Sequence, residues 1–293
     1  MFITAPGGTY VDATLGGGGH ARMALQRLDH GGRLIGIDAD PDALAFARNL
    51  LKEESGRFVA VQGRFGNIKA ILTELGVPPV QGVLFDLGVS SHQLDEPSKG
   101  FSHRGNTHLD MRMDPSQPRD AVAVLNTLDQ NDLERIFREY GEERHARRIA
   151  RRIVERRKQR TIEQTGELSA LIEEAVGKRF LTKSLSRVFQ AVRIEVNDEL
   201  GQLERGLSGA VDVLAPSGRL LVISYHSLED RIVKQFVKTM SATSAPSGNK
   251  LVPPVALQPR LRMLTRKALV PTSQEQTMNP RSRSARLRAA EKV

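Results

Sequence analysis

The chain has 293 residues, of which 39% are hydrophobic, and this is enough for one large domain or two modest ones. It contains no cysteine, which excludes disulfides, cysteine-ligated metal sites and a thiolate nucleophile. The 43 Lys and Arg outnumber the 34 Asp and Glu, so the net charge is +9, and no apolar run approaches the roughly 18 residues of a membrane span.

Strands and helices alternate through the first part of the chain. Apolar runs and helical spacing predict, in order, a strand at 9–15, a helix at 21–28, a strand at 33–37, a helix at 43–51, a strand at 58–61, a helix at 68–75 and a strand at 83–85. Asp40 followed by Pro41 is typical of a helix N-cap and first turn. The alternation predicts an α/β fold, with a parallel sheet covered by helices on both faces.

The pattern stops after the fourth strand. Residues 88–113 are polar, and a structureless loop of this length is usually functional or lies at a domain junction. Residues 121–206 have helical character throughout. We therefore expect a discontinuous α/β domain at 1–104 and 196–293, with an all-helical domain inserted at 105–195.

The strand pattern resumes at 220–225. Residues 227–230 have the form of a capping box and predict that a helix follows this strand. Beyond the helix we expect a loop at 241–259 and two late strands at 262–270 and 285–293.

Four consecutive glycines, from 16 to 19, separate the first strand from its helix. Glycines at such a turn let a ligand approach the backbone closely beside a helix N-terminus. Asp38 ends the second strand, where an acidic residue accepts hydrogen bonds from ribose hydroxyls. Asp12, near the end of the first strand, can order the loop and attract a cationic group. These positions predict a site for a nucleoside-bearing cofactor at the switch point of the sheet.

The residues by themselves leave the identity of this cofactor open. The spacing of Gly16, Gly18 and Ala21 fits the dinucleotide pattern. It fits equally well the loop of methyltransferases that use S-adenosylmethionine (SAM), in which an acidic residue precedes the glycines. Asp86 ends the fourth strand, so we expect it to line the same crevice and to contact cofactor, substrate or both.

The positive charge is concentrated in two segments. Residues 133–160 carry eleven Lys or Arg and five Glu, and residues 251–293 carry nine and two. Two basic segments predict a polyanionic partner, most often a nucleic acid. Aromatic residues make up only 4% of the chain and Trp is absent, so a broad base-stacking surface is not expected. The N-terminus has no signal-peptide pattern, and we expect a cytoplasmic protein without membrane contacts.

Longer segments carry a more specific signal. They are YVDATLGGGGHA at 10–21, LIGIDADPDAL at 34–44, VLFDLGVSSHQLD at 83–95, GF at 100–101, LDMRMD at 109–114, YGEERHARRIARRIVERR at 140–157, FQAVRIEVNDEL at 189–200, GRLLVISYHSLEDRIVK at 218–234 and NPRSRSARLRAAEK at 279–292. With these segments in family order, the chain resembles the MraW family of ribosomal RNA methyltransferases. Gly17 and His92 depart from the family pattern, which commonly has Arg and Pro there.

The resemblance implies a Rossmann-like class I SAM-dependent methyltransferase sheet, with the inserted helical domain recognising the substrate. Carried over by position, it assigns SAM contacts to Gly18, Gly19 and His20, the ribose to Asp38, the adenine to Phe65, and further cofactor contacts to Asp86 and Gln93. No metal is implied, and the histidines and aspartates of the polar loop match no metal motif.

The resemblance also implies a reaction, which is methyl transfer to the exocyclic N4 amine of one cytidine in the decoding centre of 16S rRNA, in the small ribosomal subunit. The lone pair of this amine is delocalised into the ring, so an acceptor for one amine hydrogen favours transfer. Asp86 is the candidate for that catalytic role. Methylation at carbon 5 of cytosine normally uses a cysteine nucleophile, which this chain lacks.

Two other functions stay open on the residues alone. A nicotinamide-dependent oxidoreductase explains the glycines and Asp38, but it explains neither basic segment. A non-enzymatic RNA-binding or ribosome assembly factor explains the charge, but it leaves His20 and Asp86 without a use. A homo-oligomer is compatible with the sequence, which does not define the oligomeric state.

Overall fold

The computed structural model of the chain describes residues 1–245 and 255–293. The loop predicted at 241–259 therefore lies partly outside the described residues, and its described flanks pair as two short strands. Within the described residues, every helix is too short or too polar to span a bilayer.

The chain divides into two compact units. Unit 1 consists of Met1–Gly88 and Leu200–Val293, and unit 2 is Val89–Glu199. Residues 89–104, which the sequence assigned to the sheet domain, fall in unit 2. Val89 and Phe101 pack in the apolar core of that unit, so the boundary lies directly after the fourth strand.

Nine strands are described, all in unit 1. They are β1 (Thr9–Asp12), β2 (Arg33–Asp38), β3 (Phe58–Gln62), β4 (Val80–Asp86), β5 (Leu214–Ser224), β6 (Ser244–Ala245), β7 (Val255–Ala256), β8 (Leu261–Met263) and β9 (Arg286–Lys292). Seven of them form one sheet in the order β3-β2-β1-β4-β5-β9-β8, and β6 pairs with β7. Strands β1 to β5 are parallel, whereas β9 is antiparallel to both of its neighbours. The predicted α/β fold with a parallel sheet is confirmed.

The strand order reverses at β1, with β2 and β3 on one side and β4 and β5 on the other. In open α/β sheets, ligands bind outside the carboxyl ends of the strands at this switch point. The antiparallel β9 beside β5 replaces the sixth parallel strand of the dinucleotide-binding order. Strand β8 ends earlier than predicted, because the N–H groups of Leu264 and Thr265 both donate to the carbonyl of Ala289 and interrupt the ladder.

Twelve α-helices are described. They are α1 (Gly19–Leu25), α2 (Pro41–Leu50), α3 (Ile68–Glu74), α4 (Ser91–Asp95), α5 (Ala121–Thr127), α6 (Gln130–Glu139), α7 (Ala146–Arg157), α8 (Thr165–Val176), α9 (Leu181–Asn197), α10 (Glu199–Val213), α11 (Ser227–Met240) and α12 (Ser273–Met278). The Asp40 carboxylate caps α2 by accepting the N–H of Asp42 at 3.0 Å, as predicted. The capping box of α11 lies one residue earlier than predicted, because His226 and Glu229 form it and Ser227 is already helical.

Both faces of the sheet are covered. Successive residues of β1 point to opposite faces, so Tyr10 packs with Leu34 in one apolar cluster and Val11 packs with Ile35 in another. Helices cover both clusters, which is why the central strands read as nearly continuous apolar runs.

Among its described residues, unit 2 contains helices α4 to α9 and no strand longer than an isolated bridge. Its core is built from apolar positions of these helices, including Ile136, Ile149, Leu168 and Val192, all fully buried. The predicted loop at 88–113 is wrong in part, because this segment contains α4 and a 3-10 helix at Pro97–Lys99. Both elements are too short for a periodic pattern to reveal them.

Asn197 ties an irregular segment of unit 2 to α9. Its Nδ2 donates to the carbonyl of Met111 at 2.7 Å, and its Oδ1 accepts the N–H of Met113 at 2.9 Å. Asn197 is 4% exposed, and Met111 adopts a left-handed conformation with φ 61°. The side chain therefore supplies partners to backbone groups that no regular element satisfies.

We expect Asn197→Ala to lower the free energy of unfolding by about 2–4 kcal/mol, because it leaves two backbone groups unpaired in a buried setting. Chemical denaturation of the full chain measures this loss. Asn49→Ala, at an exposed position of α2, is the control and should change stability by less than about 0.5 kcal/mol. Equal effects of the two substitutions would contradict this role of Asn197.

Candidate functional site

The glycine loop crosses the carboxyl end of β1. Gly18 is the N-cap of α1 with φ 76°, a left-handed conformation that favours glycine. A Cβ at Gly18 would also lie 3.3 Å from the Cβ of Ala47, so the loop packs tightly against α2. A Cβ at Gly19 would meet no atom within 4 Å, so this side of the loop is open to a ligand.

Asp38, at the end of β2, holds the loop. Its Oδ2 accepts the N–H of Gly16 at 2.7 Å, and its Oδ1 accepts the N–H of Asp40 at 2.9 Å. Burial raises the pKa of Asp38, and these backbone N–H groups oppose the shift. Each oxygen keeps a further lone pair, so the carboxylate retains acceptor capacity for a hydroxyl group.

Asp12, the last residue of β1, is 1% exposed. Its Oδ1 accepts the N–H of Thr14 at 3.2 Å, while its Oδ2 has no hydrogen-bond partner among the described residues. Burial raises the pKa of this carboxyl to about 7, against the lowering effect of His20. An unpartnered buried carboxylate oxygen is an unusual cost, which a cationic ligand would relieve.

Asp86, at the end of β4, is held by two side chains. The hydroxyl of Tyr225 donates to its Oδ1 at 3.0 Å, and Nε2 of His20 lies 3.2 Å from its Oδ2. The hydrogen bond to Asp86 raises the pKa of His20. Burial raises the pKa of Tyr225, with the Asp86 charge adding to the shift, so the phenol remains a donor. The side chain of Asp86 is still 26% exposed.

Unit 1 therefore brings together the loop glycines, His20, Asp38 and Asp86 of the predicted site. Phe65 begins a 3-10 helix after β3 and packs edge-to-face on Phe85, with ring centroids 5.7 Å apart. Gln93 belongs to unit 2, where its Oε1 accepts the N–H of Ser90 at 3.0 Å. The ligand contacts of these residues stay predictions.

Sequence reasoning did not place Tyr225 against Asp86. The two residues are 139 positions apart and meet because β4 and β5 are neighbours. The signal that was available is the polar Ser-Tyr-His run ending the strand after the insertion.

Three carboxylates, Asp12, Asp38 and Asp86, thus end three adjacent parallel strands beneath a glycine loop. Asp12 has a carboxyl oxygen without a partner among the described residues, and Asp38 shares its oxygens with backbone N–H groups. The Asp86 carboxylate is oriented by two side-chain donors. Such a site can bind a cationic nucleoside ligand and can accept a hydrogen bond from a second molecule beside it.

We expect Asp12→Asn to raise the melting temperature of the ligand-free protein at pH 8. The folded pKa lies above the ordinary value of 3.8, so the stability that the neutral carboxyl contributes is present below pH 4 and is lost as the pH rises through about 7. An amide avoids this loss while its oxygen still accepts the Thr14 N–H. A gain of at least about 2–4 °C is expected at pH 8, shrinking as the pH falls towards 4.

Thermal unfolding across this pH range measures the effect. Glu53→Gln, at an exposed site, is the control and should show no such trend. A lower melting temperature for Asp12→Asn at pH 8 would contradict the interpretation.

Comparison with known proteins identifies the family to which the chain belongs. The model of the MraW methylase family matches residues 1–293. A ribosomal RNA small subunit methyltransferase H of Carboxydothermus hydrogenoformans is 49% identical over 98% of this chain and 92% of its own length. Proteins of the same name from Heliobacterium modesticaldum and Thermobifida fusca are 46% and 49% identical, over 98% and 99% of this chain and 93% and 88% of theirs. The chain therefore belongs to the MraW methylase family.

Proposed function

We propose that this SAM-dependent methyltransferase transfers the methyl group to the N4 amine of a single cytidine in the decoding centre of 16S rRNA. The observation that carries the proposal is the Asp86 carboxylate, held by His20 and Tyr225 at the end of β4 beside the glycine loop. The relatives are named ribosomal RNA small subunit methyltransferase H, which supports ribosomal RNA of the small subunit as the substrate.

The residues of unit 1 fit the cofactor. SAM carries an ammonium group, and the buried Oδ2 of Asp12 has no partner in the described structure. A cation beside this carboxyl would favour its ionised form. The open side of Gly19 leaves room for close approach of a ligand, and Asp38 has acceptor capacity for ribose hydroxyls. When bound, SAM supplies an electrophilic methyl group. We assign Gly18, Gly19, His20, Asp38, Phe65, Asp86 and Gln93, together with Asp12, to holding it.

Asp86 can accept a hydrogen bond from the amine of a cytosine base. A carboxylate has about four acceptor positions, of which His20 and Tyr225 use two. The remaining ones can accept a hydrogen from the N4 amine, which favours a pyramidal nitrogen and stabilises the positive charge that develops there. Because two donors fix the carboxylate before substrate arrives, little reorganisation is needed during transfer.

The charge distribution supports an RNA substrate. Helix α7 presents several exposed arginines on unit 2, among them Arg147, Arg148 and Arg151. We therefore assign unit 2 to recognition of the RNA. A cytidine must leave any stacked or paired state to reach Asp86, so we expect an unpaired or flipped target. A cytoplasmic location follows from this substrate.

The decisive experiment is transfer of labelled methyl from SAM to undermethylated small ribosomal subunits, with mass spectrometry of the modified nucleoside. We expect N4-methylcytidine at one site of 16S rRNA. Methylation of another atom or another RNA would contradict the proposal. SAM binding without transfer would favour a non-enzymatic RNA-binding factor.

We expect Asp86→Asn to lower kcat by about 100-fold or more, as loss of one preorganised charge-stabilising group does. Tyr225→Phe removes one of the two donors to Asp86 and should lower kcat by about 10-fold, with SAM affinity changed little. Steady-state kinetics and direct measurement of SAM binding separate the two effects. Unchanged kcat with unchanged SAM affinity in Asp86→Asn would remove Asp86 from the chemistry.

A further inference from the structure

Two helices of unit 2 begin beside a solvent-exposed aromatic ring. Phe180 is the N-cap of α9, and His145 is the N-cap of α7. Their ring centroids lie 5.3 Å apart, and the guanidinium carbon of Arg179 lies 5.3 Å from the centroid of Phe180. The three side chains form a small cluster of flat groups, which we call the Phe180 cluster.

The Phe180 ring is not part of the core of unit 2. It is 44% exposed, whereas Phe101, Phe137 and Phe189, the other phenylalanines of this unit, are between 0% and 7% exposed and lie in the core. Nearly half of the Phe180 ring therefore stays in water, so it contributes less to folding than the fully buried phenylalanines do. The exposed part of the ring lies beside an imidazole and a guanidinium and is available to a ligand.

Exposed arginines precede and follow His145 along the chain. Arg144, Arg147 and Arg148 are exposed and form no ion pair with any residue the structure describes. Farther along α7 the pattern differs, since Arg151 and Arg152 both approach Glu155.

The side of the cluster formed by α9 is also basic. Lys178, Arg179 and Lys183 are exposed, and the sequence has no acidic residue from 175 to 194. On the side of α7, Glu143 is 2% exposed, with one oxygen accepting the N–H of His145 and the other 3.8 Å from Arg187. Only Glu142 is both acidic and exposed in the turn that precedes α7.

We propose that the Phe180 cluster stacks against an unpaired base of the RNA substrate, while Arg144, Arg147 and Arg148 hold the adjoining phosphates. This inference rests on the proposed function for the identity of the RNA. Aromatic faces bind bases of any sequence, and neighbouring cations track the backbone. A duplex hides its base faces, so the ring contributes only where the RNA is single-stranded.

Affinity for a short single-stranded oligoribonucleotide, measured with the full-length protein by fluorescence anisotropy, tests the stacking contact. We expect Phe180→Leu, which keeps an apolar side chain without a flat face, to weaken binding by about 10-fold. Phe180→Trp should retain or improve affinity. Neither variant should alter binding to a blunt RNA duplex. Equal affinity of the wild type and Phe180→Leu for the single strand would overturn the proposal.

The dependence of binding on salt separates stacking from phosphate binding. Removing one cation that neutralises a phosphate of a single strand should reduce the slope of log affinity against log salt by about 0.7. We expect this from Arg147→Ala and Arg148→Ala, whereas Phe180→Leu should leave the slope unchanged. Arg138→Ala is the charge-matched control, because Arg138 is exposed on α6 and already paired with Glu134. Equal reductions in Arg138→Ala and Arg148→Ala would overturn the assignment of phosphates to α7.

Methyl transfer to small ribosomal subunits distinguishes failure of this proposal from failure of the proposed function. If the wild-type protein transfers methyl and Phe180→Leu matches it in both KM and oligonucleotide affinity, the Phe180 cluster has no role in RNA binding. If the wild-type protein fails to transfer methyl, the proposed function is lost. The oligonucleotide measurements still decide whether this surface binds single-stranded RNA.

Discussion

The functional part of unit 1 depends on three carboxylates brought together at one edge of the sheet. Asp12, Asp38 and Asp86 end neighbouring parallel strands, because the order β2-β1-β4 places those ends side by side. Like charges held this close disfavour ionisation, and burial adds to the penalty. The protein offsets the cost in different ways, with backbone N–H groups on Asp38 and side-chain donors on Asp86. Asp12 receives only one such bond, and its second oxygen remains unpartnered in the described structure.

This uneven compensation separates the roles of the three groups. Both oxygens of Asp38 accept backbone N–H groups of the glycine loop and of the start of α2. Asp38 therefore has a structural role in addition to any ligand contact. Burial makes ionisation of Asp12 unfavourable, and a cationic cofactor would offset this cost better than a neutral or anionic one. Asp86 is partly exposed and is oriented by two side-chain donors, which is compatible with the substrate-facing role proposed for it. Groups placed to bind the ligand therefore lower the stability of the ligand-free protein.

The two basic segments found in the sequence belong to different units. Residues 133–160 lie in unit 2 and contribute α7, whereas residues 251–293 lie in unit 1. In the second segment, much of the charge is used internally. Arg288 and Arg286 pair with Asp230 on α11, and Arg262 pairs with Glu291. In the first segment, arginines near the start of α7 have no such partners among the residues that the structure describes. Net charge alone therefore overstates the surface available to a polyanion, and the pairing pattern identifies where that surface lies.

The amino-acid sequence alone predicts the alternation of β1 to β4 with their helices, the cap of α2 and the glycine loop. It also predicts the acidic residues Asp12, Asp38 and Asp86 at the ends of β1, β2 and β4. These features depend on short-range periodicity and on residues with special backbone preferences, such as Gly18 and Pro41. Three features are visible only in the folded structure. Tyr225 donates to Asp86, Asn197 hydrogen-bonds the segment around Met111, and Phe180 stays exposed beside His145. Each of these contacts joins residues far apart in the chain, and their geometry depends on which strands and helices become neighbours. The local sequence pattern does not show which elements become neighbours, because that depends on how the helices and strands pack in three dimensions.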